Sequence, residues 1–269
     1  MKIIGFNAGQ YGDLVMNTVA CRAAKQQWPD CYLTLGIGKP FEEIAPLFKN
    51  HPHIDDIHIW ESYNGLTDGD KKYIDEQKFD KVFNPMPYHK NLNWYNEVDC
   101  QTAEVCRMHD LEPPEDLSCY LEKYFFPRQL SWDFICISPF TAHEPKNMDM
   151  TRWIQIIKYI KNKGIDVCQL SSPNDPQLFG TFINSDRSYF GSVKALLASR
   201  FLITLDGGLN WVSSAYKHPT LGLMGRHYPN QISSKSYQPI NLNAQYLEAA
   251  HANDIEMELV FEKINEMLK

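Results

Sequence analysis

The sequence lacks any uninterrupted apolar run of about 18 residues, the least that a bilayer-crossing helix needs, so no helical membrane span is expected. It also lacks a CxxC pair and any His/Cys cluster at zinc-ligand spacing. Its seven cysteines (Cys21, Cys31, Cys100, Cys106, Cys119, Cys136 and Cys168) are scattered and odd in number, which predicts reduced structural thiols and no metal site. Positive charge is short as well: 26 Lys and Arg stand against 33 Asp and Glu, a formal net charge of -7. Nucleic-acid binding relies on clustered cations to replace condensed counterions, so this balance disfavours it. The densest basic stretch, Lys71-Lys72 with Lys78 and Lys81, is interleaved with Asp68, Asp70, Asp75, Glu76 and Asp80 and reads as a solvated helix face. The first residues enter a strand pattern at once, with no basic region, long apolar stretch and cleavage site, which predicts an unprocessed cytoplasmic protein.

What is present is an ordinary globular composition, 43% hydrophobic and 22% charged, over 269 residues. Domains commonly hold about 100 to 150 residues, so two modest cores are expected. Strand, turn, helix, strand alternates from the start: a strand at Lys2 to Phe6, a helix from Asp13 to Trp28, strands at Cys31 to Ile37, Ile54 to Trp60 and Lys81 to Asn84, and a short helix at Phe41 to Phe48. The stretch from Asn84 to Tyr95 is too rich in Pro, Asn and aromatics for a regular element and reads as a loop. The pattern breaks around Tyr124 to Trp132 and restarts with a strand at Phe134 to Ser138. Helices at Thr151 to Lys163, Ser192 to Ser199 and Leu209 to Tyr216 then alternate with strands at Val167 to Leu170, Phe201 to Leu205 and Pro219 to Met224. The fold class is therefore α/β, with two doubly wound Rossmann-like domains facing across a cleft. The divisions are 1–128, 129–252 and a C-terminal helix in 253–269, free to pack back toward the N-terminal domain.

Three strand-to-helix turns carry candidate chemistry. Asn7 to Asp13 holds glycines where a strand passes into a helix, but Gly12-Asp13 sets a carboxylate where an anionic cofactor would be repelled. Asp13 reads either as a helix cap or as a general base facing the crevice. The second turn, Pro139 to Lys146, offers the Thr141 hydroxyl and N–H and the Lys146 charge to a diphosphate. The third, Asp206-Gly207-Gly208-Leu209, begins a helix after a buried strand, where free N–H groups and the positive helix pole suit pyrophosphate oxygens. In the Asn84 to Tyr95 loop, Tyr88, His89, Trp94 and Tyr95 could hold a sugar-like acceptor by stacking and hydrogen bonds.

With Gly12-Asp13-Leu14-Val15-Met16-Asn17-Thr18, then Arg22-Ala23-Ala24-Lys25 and Trp28-Pro29-Asp30 early, the chain resembles the heptosyltransferase-like glycosyltransferases of family 9. The late segments that carry the resemblance are Gly191 to Ala198, Asp206 to Ala215 and Pro219 to Gly225. It implies a GT-B fold with the nucleotide-sugar donor bound mainly by the C-terminal domain, no metal and no further cofactor. It implies Asp13 as catalytic base, Gly12 beside the acceptor, Thr141 and Lys146 at the diphosphate, Gly207 and Gly208 at the phosphate turn, and Asp175 near the ribose. Where the family usually carries Ser or Thr this chain has Gly207, and where it carries His this chain has Trp211. The N-terminal half is also short for the family, so heptose is not assigned as the sugar. Metal-independent transfer with inversion to an acceptor hydroxyl is the leading expectation. Two others stay open: a nucleotide-sugar epimerase or hydrolase drawing on His89 and His143, and a catalytically silent nucleotide-binding or assembly module.

Overall fold

The computed structural model describes residues 1–5, 9–62, 65–83, 100–121, 133–143, 146–226, 235 and 238–269. The chain divides into two compact units, Met1–Tyr124 and Phe125–Lys269. No helix among the described residues is long and apolar enough to cross a membrane.

The first unit is built on a parallel sheet in the order β3-β2-β1-β4, from β1 (Lys2–Gly5), β2 (Tyr32–Gly38), β3 (Asp56–Trp60) and β4 (Lys81–Val82). The single helix expected from Asp13 to Trp28 is two: α1 (Tyr11–Met16) and α2 (Thr18–Gln27), joined at Asn17. It starts earlier than expected because Gln10 is extended and its N–H donates to Asp13 Oδ2 at 2.8 Å, which puts Asp13 inside the first turn rather than at the cap. The break at Asn17 leaves helical dihedrals intact, with φ −64 and ψ −12, while Thr18 turns its hydroxyl back to the Val15 carbonyl at 2.7 Å. The segment Lys39–Phe48 is a 3₁₀ helix, with Pro40 in its first turn and Pro46 inside it. The basic stretch is helix α3 (Asp68–Gln77), whose lysines pair along its exposed face as Lys71–Asp68 and Lys72–Glu76. Helix α4 (Gln101–Met108) was not expected, since buried Gln101 and Thr102 blur its apolar period.

The second unit carries six parallel strands in the order β10-β9-β8-β5-β6-β7: β5 (Phe134–Ser138), β6 (Asp166–Gln169), β7 (Phe182–Ile183), β8 (Leu202–Thr204), β9 (Thr220–Met224) and β10 (Ala244–Glu248). Alternation along β5 sends Ile135 and Ile137 to one face and Phe134 and Cys136 to the other. The first face is covered by α5 (Met150–Lys161) through Trp153, Ile156, Ile157 and Ile160. The second receives Ala195 and Leu196 of α6 (Tyr189–Ala198). Helix α7 (Gly208–Ala215) follows β8, and the C-terminal helix α8 (Met257–Met267) buries Val260 and Ile264 in the core under α5. There Phe261 stacks on Tyr159 at 4.2 Å, and Asn265 Nδ2 donates to the Tyr159 hydroxyl at 2.8 Å. The unit's chain order reverses between β5 and β8, with β6 and β7 on one side and β9 and β10 on the other. In such sheets a crevice opens at the carboxyl ends of the two strands flanking the reversal.

Each sheet seats an edge-strand aromatic on a glycine of its neighbour. A Cβ on Gly36 would lie 1.7 Å from Trp60 Nε1, and one on Gly222 would lie 2.3 Å from Tyr246 Cδ1. The Gly36→Ala variant is expected to lose roughly 1–3 kcal/mol of unfolding free energy in urea. The loss should be partly recovered when Trp60 is shortened to Leu; a silent Gly36→Ala would refute this packing. Buried histidines give a second expectation. His51 is pushed down to about 4 by burial and by His53, although its Nε2 lies 3.1 Å from the Tyr120 carbonyl. His109 is pushed down to about 4 by burial. The unfolded chain takes up these two protons near pH 6.5, where the folded protein stays neutral. Stability is therefore full above about pH 6.5 and falls toward pH 4, by about 1.4 kcal/mol per pH unit for each histidine. Urea titrations at pH 7, 6 and 5 should show the midpoint falling, and a flat midpoint would contradict the burial of these rings.

Candidate functional site

Adjacent strands β8, β5 and β6 end at the same edge of the second sheet, so the loops that follow them are neighbours. Two of the three turns singled out in the sequence thereby meet. Lys146, after β5, places Nζ 2.9 Å from Asp206 Oδ2, after β8, and the side chains are only 13% and 7% exposed. Gly207 is the cap of α7, with φ −164, an extended value open to any residue. A Cβ built on it would touch Thr141 Cγ2 at 3.7 Å, ordinary contact, so Thr141 and the glycine turn lie side by side. The Thr141 loop is held by its own bonds: its N–H donates to Asn147 Oδ1 at 2.8 Å and its hydroxyl donates to the His143 carbonyl at 2.9 Å. Gly208 and Leu209 open α7, where amides lack carbonyl partners within the helix, while the Leu209 side chain packs on the core. Among these groups a lysine and a helix's positive pole favour a bound anion, while the Asp206 carboxylate offsets part of the lysine's charge.

Asp175 lies after β6, the next strand along, and folds back on its own loop, its Oδ2 accepting the Ser172 N–H at 2.7 Å. Arg187 closes that loop from outside by donating to the Ser172 carbonyl. Trp211 is buried at 5% exposure. Asn210, which the sequence did not single out, is 0% exposed, and neither of its amide atoms has a hydrogen-bond partner among the described residues.

In the first unit the chain order reverses between β1 and β4, and Gly12 and Asp13 follow β1 there. Asp13 is half-buried, its carboxylate oriented by the Gln10 N–H. Two residues before it, Tyr11 donates to Glu43 Oε1 and meets Phe41 edge to face at 5.2 Å. Burial and the Glu43 carboxylate push the Tyr11 phenol above its ordinary range. Sequence reasoning missed Tyr11, Phe41 and Glu43. The available signal was that β1 and β2 are parallel neighbours, so the residues following each must lie together. Tyr88, His89, Trp94 and Tyr95 lie outside the described residues.

No protein-family model matches the chain, and no curated protein matches it in sequence. Solved structures do match in fold. The Escherichia coli ADP-heptose LPS heptosyltransferase II superposes with a TM-score of 0.73 at 16% identity, over 100% of this chain and 98% of that one. A glycosyltransferase of family 9 from Veillonella parvula gives 0.73 at 14% identity, over 99% and 97%. The iron-containing dodecameric glycosyltransferase TibC of enterotoxigenic E. coli gives 0.68 at 16% identity, over 92% of this chain and 62% of that longer one. The chain thus has the α/β fold of GT-B glycosyltransferases.

The Lys146–Asp206 pair generates a stability expectation. Lys146→Met takes the lysine away from a buried carboxylate and should lower the unfolding free energy by about 3 kcal/mol, whereas Lys146→Met with Asp206→Leu should recover most of that loss. If the double variant were no more stable than the single one in urea, the two groups would not be coupled as their separation indicates.

Proposed function

We propose that the protein is a glycosyltransferase: the second unit holds a nucleoside-diphosphate sugar, and the sugar passes to a hydroxyl of an acceptor held by the first unit. The observation that carries the reading is the meeting of Thr141, the Lys146–Asp206 pair and the Gly207-Gly208 turn at the point where the strand order reverses. The fold is shared with a heptosyltransferase whose donor is ADP-heptose, which supports a donor of that chemical class here without fixing the base or the sugar.

In this reading the acceptor hydroxyl gives its proton to Asp13 as its oxygen bonds to the anomeric carbon. The bond from that carbon to the diphosphate oxygen breaks, and the electron pair leaves with the nucleoside diphosphate. Lys146 and the N–H groups of Gly208 and Leu209 stabilise the charge gathering on the departing phosphate. A lysine and a helix pole supply positive charge directly, so the proposed transfer needs no metal. Direct displacement inverts the anomeric centre. In the same reading Asp175 binds the ribose. The aromatic pair Tyr11 and Phe41, with Glu43, offers the acceptor a ring face and a hydrogen-bonding carboxylate beside the base.

One observation favours a second reading. Lys146 is already neutralised by Asp206 and Gly207 brings no hydroxyl, which fits a module that binds a nucleotide and transfers nothing. Asp13→Ala separates the two. Transfer predicts that some nucleoside diphosphate among ADP, UDP, GDP and CDP raises the melting temperature of wild type and variant alike. It also predicts that turnover of the matching sugar conjugate falls by about 10²-fold or more in the variant. Unchanged turnover would remove Asp13 from the mechanism, and a wild type that binds without turning over any acceptor would favour the silent module.

A further inference from the structure

Asn210 is the third residue of α7 and follows Gly207 by three, so the two share a helix face, and its Cα–Cβ bond leans toward the helix N-terminus and the Gly207 turn. Its amide is fully buried, and neither Nδ2 nor Oδ1 is hydrogen-bonded among the described residues. A buried amide left so costs the folded state, and native structures rarely tolerate it without a reason.

The turn it leans toward has a complementary irregularity. Ser, Thr, Asn and Asp cap helices best, yet α7 is capped by Gly207 with no side-chain bond. Glycine is not required there by the backbone, which is extended at φ −164, nor by packing, since a Cβ would only touch the Thr141 methyl at 3.7 Å. A side chain that would stabilise the helix fits and is absent, while one turn further on an amide with two N–H donors goes unused. No side chain at the cap stands between the pole and the Thr141 methyl.

The geometry points to Asn210 as the side-chain donor to the diphosphate of the bound nucleotide, acting in place of a capping hydroxyl at Gly207. This rests on the reading of the site given above. With a nucleoside diphosphate bound, Nδ2 donates to a phosphate oxygen beside the N–H groups of Gly208 and Leu209, and Lys146 balances the charge from the Thr141 side. The arrangement also separates stability from function at one residue: the amide destabilises the unliganded fold and contributes only when the anion arrives.

The test is calorimetric titration and thermal melting of the full chain with whichever of ADP, UDP, GDP and CDP shifts the wild type. Asn210→Leu, close in size and without polar atoms, is expected to melt higher than wild type unliganded and to bind that diphosphate about 10-fold more weakly. Adding Gly207→Ser to Asn210→Leu should restore most of the affinity by supplying a hydroxyl at the cap. Asn210→Leu that binds as tightly as wild type overturns the inference, and so does a lowered melting temperature with unchanged affinity, which would reveal a structural amide. If Asn210→Leu does not fold, Asn210→Ser with a retained donor and Asn210→Ala without one are compared, and equal affinities overturn it. No shift with any diphosphate in the wild type would instead defeat the proposed function itself, so the two failures are distinguishable.

Discussion

A lysine and an aspartate 60 residues apart in sequence, and almost wholly withdrawn from water, hold two loops at one edge of the second unit's sheet together. Neither charge could be buried alone, so each loop is obliged to come to the other. Lys146 belongs to the loop after β5 and Asp206 to the turn after β8, and their contact brings Thr141 against Gly207. The hydrogen bonds that stiffen the Thr141 loop, to Asn147 and His143, then fix what the turn at the head of α7 faces.

The same pair limits the site's charge. A bare lysine would attract any anion, whereas one already matched to a carboxylate discriminates by geometry, because an incoming anion must offer more than Asp206 does. The remaining attraction comes from the pole of α7, a dipole of roughly half a charge that requires close, directional approach. Two glycines stand at that pole, and the cap they provide makes no side-chain hydrogen bond.

Much of the fold was legible from alternation alone, and the reasons for the exceptions are physical. The strand Phe134–Ser138 has the bounds its apolar run predicts, because it is buried on both faces. Strand β10 has a half-buried, mixed pattern and becomes a strand only by pairing with β9, which no local window contains. The division of one expected helix at Asn17 was invisible because the apolar period runs straight through it. At the site, glycine turns and loop positions could be read, since turn chemistry is local. The Lys146–Asp206 pairing, the Tyr11–Phe41–Glu43 group and the unsatisfied amide of Asn210 could not, because each depends on which strands become neighbours or on what surrounds a side chain.

Parallel strands have no tight turn between them to fix their alignment, and here the long stretches that separate them leave register to the sheet itself. The glycines beneath Trp60 and Tyr246 answer this need. If β3 slid two residues along β2, the indole over Gly36 would be carried onto Thr34, where a side chain already stands. A comparable slide of β10 would press Tyr246, now opposite Gly222, onto Thr220 or Met224. The slide of β3 toward Thr34, and a slide of β10 either way, are therefore opposed by collision rather than by any weakness in their hydrogen bonds.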